Sequence, residues 1–344
     1  MKNLLYLFVI VSISYSSLFA TSSHAVVLQY HRFDESKYPS TNISMKLFTQ
    51  QIKYIVQNNY NVWPLSKIIK YLQENKTLPN RTVAITIDDA YQSVYTKAFP
   101  LLKKYTLPFT IFVNSLPIIH ESLNYLTWDE MREMGKYGAE YANHTYSHQY
   151  LVRDGMKNSN DYKKYVTKEI EMCEMKIEKE LGKKVCTNPK ILAYPFGEYD
   201  SKLVHITKSL GYVGVAQNSA PISSTSNFMA LTRFPMSGGY GVMDQFILKI
   251  NTLPLPLKSI SNEDTLVTAL NNPPILTLIL KETHKDLQCF TADGKKIKMQ
   301  WLSDTKVTIQ ATLPLMYPRN HYTCTAHAQG NAWYWYSHLW VVLK

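Results

Sequence analysis

Long runs of basic residues are absent from this chain of 344 residues, although 37 Lys and Arg outnumber 26 Asp and Glu and give a formal net charge of +11. No nucleic-acid-binding motif is present either, so the charge does not predict a DNA- or RNA-binding protein. It indicates diffuse basicity, or an attraction to an anionic envelope or polymer. Glycine is scarce, with 12 residues, and there is no repeat or low-complexity segment. A hydrophobic content of 45% excludes a mainly disordered chain.

No apolar stretch is long enough to form a stable transmembrane helix. Residues 4–13 are apolar, follow Lys2 and precede small residues, which is typical of a secretory signal peptide. Cleavage after Ala20 or Ala25 fits, and Ser23 with Ala25 gives the small-x-small pattern. The sequence therefore predicts signal peptide 1–25 and an exported protein, periplasmic or secreted, with an uncleaved anchor as the alternative.

Only four cysteines occur, and none of them form the CxxC spacing of a zinc site. They fall into two local pairs, Cys173 with Cys186 and Cys289 with Cys324. In an exported protein these pairs predict two disulfides, one in each half of the chain. A zinc site made of all four cysteines is the alternative.

Two patterns divide the remaining sequence. From residue 26 to 250, short β-rich runs alternate with helical segments, which predicts an α/β domain with parallel strands. Seven strands are expected, at 26–30, 82–87, 109–113, 140–142, 191–194, 213–216 and 231–234. After a proline-rich joint at 252–257, short alternating runs predict an all-β domain over 251–344, an immunoglobulin-like sandwich.

Several residues predict where the helices begin and end. Ser44 and Ser66 precede helical patterns as N-caps, and Thr127 with Glu130 forms a capping box. The longest helix, 162–181, is expected to end at Gly182.

Two acidic residues follow the second predicted strand directly. Residues 83–90 run Val-Ala-Ile-Thr-Ile-Asp-Asp-Ala, which places Asp88 and Asp89 at the carboxyl end of a buried strand, where barrels and open sheets carry their active sites. A cap for the helix that begins near Ser93 is the alternative. His144 and His148 follow another short strand, and their spacing of four residues predicts a helix turn that places both imidazoles on one face. Two histidines with one aspartate can hold a divalent metal and leave a position for water.

A third segment, residues 193–200, follows another β-run and reads Ala-Tyr-Pro-Phe-Gly-Glu-Tyr-Asp. Proline and glycine predict a sharp turn there. The aromatic residues are expected to form a wall on which a sugar ring stacks, and the substrate-binding residues predicted here are Tyr194, Pro195, Phe196, Gly197 and Tyr199.

Together the three segments resemble the NodB-homology polysaccharide deacetylases, carbohydrate esterase family 4, over residues 26–235. The resemblance implies a distorted (β/α) barrel of about seven strands and metal-dependent hydrolysis of N-acetyl, or sometimes O-acetyl, groups of sugars. It also implies the roles: Asp88 is the general base, and Asp89, His144 and His148 bind the metal, for which Zn²⁺ is the first choice and other divalent ions fit. A backbone N–H of Tyr194 or Phe196 is a candidate oxyanion donor.

Tyr30 and His31, at the carboxyl end of the first predicted strand, resemble the Tyr-His start of one branch of this family, the exported poly-N-acetylglucosamine deacetylases. In that branch the general acid comes from the N-terminal strand, and His31 is the corresponding residue, with a purely structural histidine as the alternative. The implied substrate is an acetylated amino-sugar polymer: poly-N-acetylglucosamine, peptidoglycan or a related envelope glycan.

The sequence also departs from the family pattern. The glycine of the first motif is Ala90, and the arginine that commonly orients the catalytic aspartate is Ala193, for which Arg233 is the predicted replacement. The fourth motif is not evident. These gaps, with the aromatic segment 333–340, motivate an alternative, a glycan-binding protein on a weakly active scaffold; an O-acetyl esterase is a third possibility.

Overall fold

A computed structural model describes residues 23–153 and 159–344. Residues 1–22 of the predicted signal peptide lie outside the described residues. Within the part of the chain that is described, no helix is long and apolar enough to cross a membrane.

The chain contains helices and strands in alternation up to residue 250 and mainly strands after it. The helices are α1 (Met45–Gln57), α2 (Leu65–Gln73), α3 (Phe99–Lys104), α4 (Ser115–Ile119), α5 (Trp128–Gly135), α6 (Tyr162–Leu181), α7 (Ser201–Ser209) and α8 (Met243–Ile250). The strands are β1 (His24–Tyr30), β2 (Arg32–Phe33), β3 (Asn42–Ile43), β4 (Asn61–Val62), β5 (Thr82–Asp88), β6 (Phe109–Val113), β7 (Ala139–Asn143), β8 (Ile191–Ala193), β9 (Val213–Val215), β10 (Ile222–Ser223), β11 (Phe234–Pro235), β12 (Leu253–Pro254), β13 (Leu257–Ser261), β14 (Leu266–Val267), β15 (Ile275–Leu280), β16 (Gln288–Thr291), β17 (Lys298–Ser303), β18 (Lys306–Gln310), β19 (Arg319–His327) and β20 (Trp333–Val342).

Most of the predicted helix ends are confirmed. The Ser44 hydroxyl accepts the first-turn N–H of α1, and Thr127 with Glu130 forms both bonds of a capping box at α5. Gly182 ends α6 with φ 78°, a conformation that glycine adopts without strain. The prediction for Ser66 is wrong, because α2 begins one residue earlier and the Ser66 hydroxyl donates instead to the carboxylate of Glu140.

Six parallel strands form the main sheet in the order β1-β5-β6-β7-β8-β9. The segment that carries the seventh predicted strand then connects the two edges. Leu231 bridges β9 at Val215, and Phe234 pairs in parallel with Leu28 of β1. The chain therefore folds into a distorted barrel whose last strand contacts the first.

Alternation along β5 separates the outside of the barrel from its inside. Val83, Ile85 and Ile87 pack with the apolar residues of the surrounding helices, whereas Ala84 belongs to a second cluster with residues such as Ala25 and Phe112. Side chains two residues apart on a strand share a face. Asp88 therefore lies on the same face as Ala84, at the carboxyl end of the barrel.

Two further sheets follow the barrel. One has the order β12-β20-β19-β16 with β14 beside β20, and the other has the order β13-β15-β18-β17. Apolar side chains from both sheets form one buried cluster, including Leu278, Val307, Tyr322 and Trp340. We call β12–β20 the C-terminal sheets; their assignment as an immunoglobulin-like domain with limits 251–344 stays a prediction.

The C-terminal sheets pack directly on the barrel. Leu339 and Val341 of β20 lie in one apolar cluster with Tyr162 of α6 and Leu203 of α7. The Ser337 hydroxyl donates to the backbone carbonyl of residue 219 at 2.8 Å. One hydrophobic core therefore includes both parts of the chain.

The cysteine predictions have different outcomes. Cys289 and Cys324 face each other on β16 and β19 and form a disulfide, which excludes a zinc site of four cysteines. The disulfide predicted between Cys173 and Cys186 is wrong, since both are free thiols. Cys173 is buried on α6 with its Sγ 3.0 Å from the carbonyl oxygen of Val113, whereas Cys186 lies beyond the end of that helix.

Candidate active site

The predicted catalytic side chains lie at one end of the barrel. Parallel strands bring their carboxyl ends to the same rim, and the register aligns Tyr30 with Ile87 and Asp88 with Phe112. His31, Asp88, Asp89 and His144 follow or end neighbouring strands at that rim. Asp88 and Asp89 do not cap a helix, so that alternative is wrong.

Arg233 and Asp88 form a fully buried ion pair. Arg233 Nη1 lies 2.6 Å from Asp88 Oδ1, and Nη2 lies 2.9 Å from Oδ2, a two-pronged contact. The arginine also donates to the carbonyl oxygen of Ala216 at 3.0 Å, which fixes its direction. Burial raises the pKa of Asp88, but Arg233, His31 and His144 together outweigh the effect of burial and lower the pKa to about 2. Arg233, which the sequence predicted as the replacement for the missing arginine, therefore contacts Asp88 from the last barrel strand.

Two further side chains contact Asp88 from β1 and its end. Gln29 Nε2 donates to Oδ2 at 2.7 Å, and His31 Nε2 lies 3.6 Å from the same oxygen. Burial lowers the pKa of His31, against the opposing effect of Asp88 and Asp89. His31 is 14% exposed while Asp88 is 0% exposed, so the histidine is the member of this group nearer to solvent. Gln29 was not predicted, because a glutamine inside an apolar strand gives no sequence signal for a site.

Asp89, His144 and His148 converge on one point. Their ligand atoms all lie within 4.8 Å of one another, and Asp89 Oδ1 is 3.4 Å from His144 Nε2 and 3.3 Å from His148 Nε2. Asp89 Oδ1 and His144 Nε2 are buried and have no hydrogen-bond partner within the described residues. His144 Nδ1 lies 2.8 Å from the carbonyl oxygen of Ala193, which favours the tautomer with a free Nε2. Two nitrogen atoms and one carboxylate oxygen suit a divalent metal.

The spacing of the two histidines predicted a helix turn, and this prediction is wrong. Both histidines reach the site from a loop. Thr145 and His148 have φ of 66° and 56°, outside the helical region. The Thr145 hydroxyl accepts the N–H of His148 at 3.1 Å. Glu169 of α6 accepts both the N–H and the hydroxyl of Ser147 at 2.8 Å. The loop is therefore held from inside and from α6, a contact that sequence reasoning missed.

Left-handed backbone conformations are concentrated at this rim. Asp89, Ala90, Thr145, His148 and Phe196 all have φ between 55° and 69°. Such conformations cost non-glycine residues about 1–2 kcal/mol each. They explain why the related motif has glycine at the position of Ala90: the backbone conformation there is one that glycine adopts without strain.

The predicted aromatic wall is wrong in part. Tyr194 and Tyr199 are 0% and 7% exposed and stack on each other in the core, with 5.6 Å between their ring centroids. Pro195 and Gly197 are buried as well, and a Cβ at Gly197 would meet the Gln217 side chain.

Phe196 is the member of the segment that faces the site. Its ring centroid lies 4.6 Å from that of His148 and 3.8 Å from that of Tyr150, on which it stacks. Tyr150 was not predicted. The N–H of Tyr194 is not available as an oxyanion donor, because it donates to Val215 in the sheet at 3.0 Å; Phe196 remains a candidate.

Comparison with known proteins gives a family match that includes part of this site. Residues 75–215 match the family model described as Polysaccharide deacetylase. The chain carries a polysaccharide deacetylase domain. The matched range includes Asp88, Asp89, His144 and His148, whereas His31 and Arg233 lie outside it.

Several known proteins match a larger part of the chain. A poly-beta-1,6-N-acetyl-D-glucosamine N-deacetylase of Staphylococcus aureus is 28% identical over 232 residues, which covers 62% of this chain and 79% of that protein. The deacetylase PplD of Streptococcus pyogenes has the same fold, with a TM-score of 0.59 at 23% identity over 67% of this chain and 99% of PplD. IcaB of Ammonifex degensii has a TM-score of 0.52 at 25% identity over 62% of this chain and 91% of IcaB.

Proposed function

We propose that this protein is an exported, divalent-metal-dependent N-deacetylase of N-acetylhexosamine polymers, with a poly-N-acetylglucosamine as the first candidate substrate. The observation that carries the proposal is the cluster of Asp89, His144 and His148 beside the Arg233-bound Asp88. The Staphylococcus aureus relative, named for poly-beta-1,6-N-acetyl-D-glucosamine, supports the substrate class.

Asp89, His144 and His148 fit a divalent cation, Zn²⁺ by ligand type, although other divalent ions suit the same three residues. When bound, such a cation supplies Lewis-acid activation of water and of the acetyl carbonyl. The remaining steps belong to the side chains around it.

Asp88 accepts a proton from the attacking water while the new C–O bond forms. Arg233 keeps Asp88 ionised, so the base is available over the whole neutral pH range. His31 Nε2, 3.6 Å from Asp88 Oδ2, delivers the proton to the leaving nitrogen as the C–N bond breaks. The products are acetate and a free amino sugar. The Phe196 N–H is the remaining backbone candidate for the oxyanion.

The test is acetate release from β-1,6-linked N-acetylglucosamine oligomers, chito-oligosaccharides and peptidoglycan fragments, with chelator and after Zn²⁺ is restored. We expect Asp88→Asn to keep the metal and lose turnover, and His148→Ala to lose both. Glu171→Ala, an exposed change on α6, is the control. Urea unfolding of Asp88→Asn is measured alongside, since Arg233 loses its charged partner there. No chelator-sensitive acetate release from any of these glycans would refute the proposal.

Ala193 was one motivation for the glycan-binding alternative, and the contact of Arg233 with Asp88 weakens it. Trp340 is 2% exposed and belongs to the core of the C-terminal sheets, so it forms no sugar-binding platform. Esterase activity uses the same groups. Acetate release from O-acetylated but not from N-acetylated glycans would favour the esterase.

We also propose export with cleavage after Ala20. β1 begins at His24, and Ala25 is buried and paired with Thr82, so cleavage after Ala25 would remove the first two residues of a barrel strand. Mass spectrometry of the protein from a periplasmic or culture fraction tests this site: a mature chain that begins at Thr21 is expected, and one that begins at Val26 would contradict it.

A further inference from the structure

A column of side chains extends from the candidate metal site to the C-terminal sheets. The His148 ring meets the edge of Phe196, and Phe196 stacks on Tyr150 at an interplanar angle of 14°. Arg153 lies over the Tyr150 ring at 4.1 Å, and its Nη1 donates to the Tyr317 hydroxyl at 2.7 Å. We call these five residues the stacked column.

A buried carboxylate fixes the middle of the stacked column. Glu198 is 1% exposed, and Arg153 Nε donates to both of its oxygens at 2.9 Å. Arg319 of β19 places its Nε 3.4 Å from the same carboxylate. The carboxylate therefore receives one arginine from the barrel and one from the C-terminal sheets.

Arg319 makes a second contact, which reaches the site more directly. Its Nη1 donates to the backbone carbonyl of Phe196. Phe196 has φ 58°, and a left-handed phenylalanine persists only where its surroundings hold it. Arg319 holds the carbonyl of that residue, while Tyr150 and His148 contact the ring.

We propose that Arg319 is a positioning residue for the metal centre, acting from the C-terminal sheets through Phe196 on His148. This inference rests on the metal site of the proposed function. The planar guanidinium of Arg319 contacts a carboxylate and a carbonyl at once, which an ammonium group cannot reproduce. Loss of Arg319 frees the Phe196 turn and lets the His148 ring leave its ligand position.

The arrangement allows Arg319 to be removed without unfolding the site. Glu198 keeps its two hydrogen bonds from Arg153, so no buried charge is left alone, and Arg319 itself is 38% exposed. Arg81 is the matched control. It is also exposed and also donates to a backbone carbonyl, that of Asn58 at 2.8 Å, but it lies at the opposite end of β5.

The experiment measures Co²⁺ binding by calorimetry and by visible absorption in the full-length protein without substrate. Removing groups that orient metal ligands commonly weakens affinity tenfold or more, and for this more remote contact we expect about a three- to tenfold loss in Arg319→Ala. The absorption bands of bound Co²⁺ should shift as well. Arg319→Lys should lie between Arg319→Ala and wild type, and Arg81→Ala should match wild type.

Tyr317→Phe, which removes one hydrogen bond from the stacked column, is the second variant should Arg319→Ala fail to fold. A smaller loss of Co²⁺ affinity in the same direction supports the inference. Unchanged affinity and spectrum in the folded variants would overturn it, as would a wild-type protein that binds no Co²⁺. A wild-type protein that binds Co²⁺ but releases no acetate would refute the deacetylase function alone, and the metal measurement would still decide the role of Arg319.

Discussion

Three polar side chains surround Asp88, whose own side chain is fully buried. Arg233 contacts both oxygens, Gln29 donates to one, and His31 lies beside the same one. A carboxylate in this position is stable only as part of the set, since burial without partners would neutralise it. The ionised state of the proposed base therefore depends on a residue 145 positions away in the chain.

The first prediction concerns the ion pair of Arg233 and Asp88. Arg233→Met leaves the buried Asp88 carboxylate without its arginine partner, so we expect the free energy of unfolding to fall by about 3–5 kcal/mol, together with loss of acetate release. Urea unfolding measures the first effect. Arg81→Met, which removes an exposed arginine, should change stability by less than about 0.5 kcal/mol; an equal loss in both variants would show that the buried pair has no special role.

Residue types and order were enough to predict the charged members of the site. Four of them follow or end β-rich runs: Asp88, Asp89, His144 and His148. Arg233 was predicted because the family's arginine is missing at Ala193. Gln29, Tyr150 and Glu169 were missed because each acts through a tertiary contact that no local pattern encodes. Tyr194 and Tyr199 were misplaced for the opposite reason: an aromatic residue next to a site motif packs equally well into the core.

At the scale of elements, the ends of strands and the following loops decide the geometry. The barrel strands were predicted from their apolar runs, but the left-handed residues after β5 and β7 were not. The loop of His144 and His148 was taken for a helix turn, since four-residue spacing suits a helix and a tight loop alike. Contact with Glu169 on α6 is what holds the loop.

The second prediction tests this contact. Glu169→Ala removes the acceptor of the Ser147 N–H and hydroxyl, so the loop loses its anchor and metal affinity should fall by about tenfold. Zn²⁺ titration by calorimetry gives the affinity. Glu171→Ala, two residues along the same helix and exposed, should bind Zn²⁺ as wild type does; unchanged affinity in Glu169→Ala would contradict a positioning role for α6.

The third prediction concerns Lys249 on α8. It is 4% exposed, its Nζ donates to the Tyr240 carbonyl at 2.7 Å, and burial lowers its pKa to about 8. Below pH 8 the lysine is charged in the folded and unfolded states, so the full cost of burying the charge, about 3 kcal/mol, is present at neutral pH. Between pH 8 and about 10.5 the unfolded chain binds the proton that the folded chain releases, and stability rises with pH.

Lys249→Met should therefore be more stable than wild type at pH 7 by up to about 3 kcal/mol, with a smaller gain at pH 9.5. Urea unfolding at the two pH values measures the difference between variant and wild type, which removes the contribution of other titrating groups. Lys46→Met, an exposed change on α1, is the control. A gain that does not depend on pH would show that packing, and not the charge, is responsible.

At the scale of the whole molecule, the barrel and the C-terminal sheets share an apolar cluster, which the sequence prediction of two domains did not include. The proline-rich joint and the alternating runs after it predicted a change of architecture near residue 251, and separate sheets follow from β12 on. Their contact with the barrel was not predictable, because the apolar faces of β20 could equally have served a sandwich alone. Leu339 and Val341 instead complete the apolar cluster of α6 and α7.

The fourth prediction is that a chain ending at residue 250 does not fold into a soluble barrel. Removing Leu339 and Val341 exposes the surface they cover, and each buried aliphatic side chain contributes about 1.5–3 kcal/mol. Expression followed by size-exclusion chromatography and near-UV circular dichroism tests this, with Leu270→Ser, a 99% exposed position, as the control in the full-length chain. A monomeric truncated protein that still binds Zn²⁺ would show that the barrel is independent.

The closing segment of the barrel also bears on when the proposed reaction can begin. Asp88 comes early in the chain and Arg233 follows 145 positions later, so a growing chain contains the carboxylate without its buried partner. Such a chain has the candidate metal ligands in sequence but lacks the arginine that helps to keep Asp88 ionised. For the hydrolysis proposed above, the site is therefore complete only once Phe234 has joined β1. With the export proposed above, that step belongs to the compartment in which folding finishes.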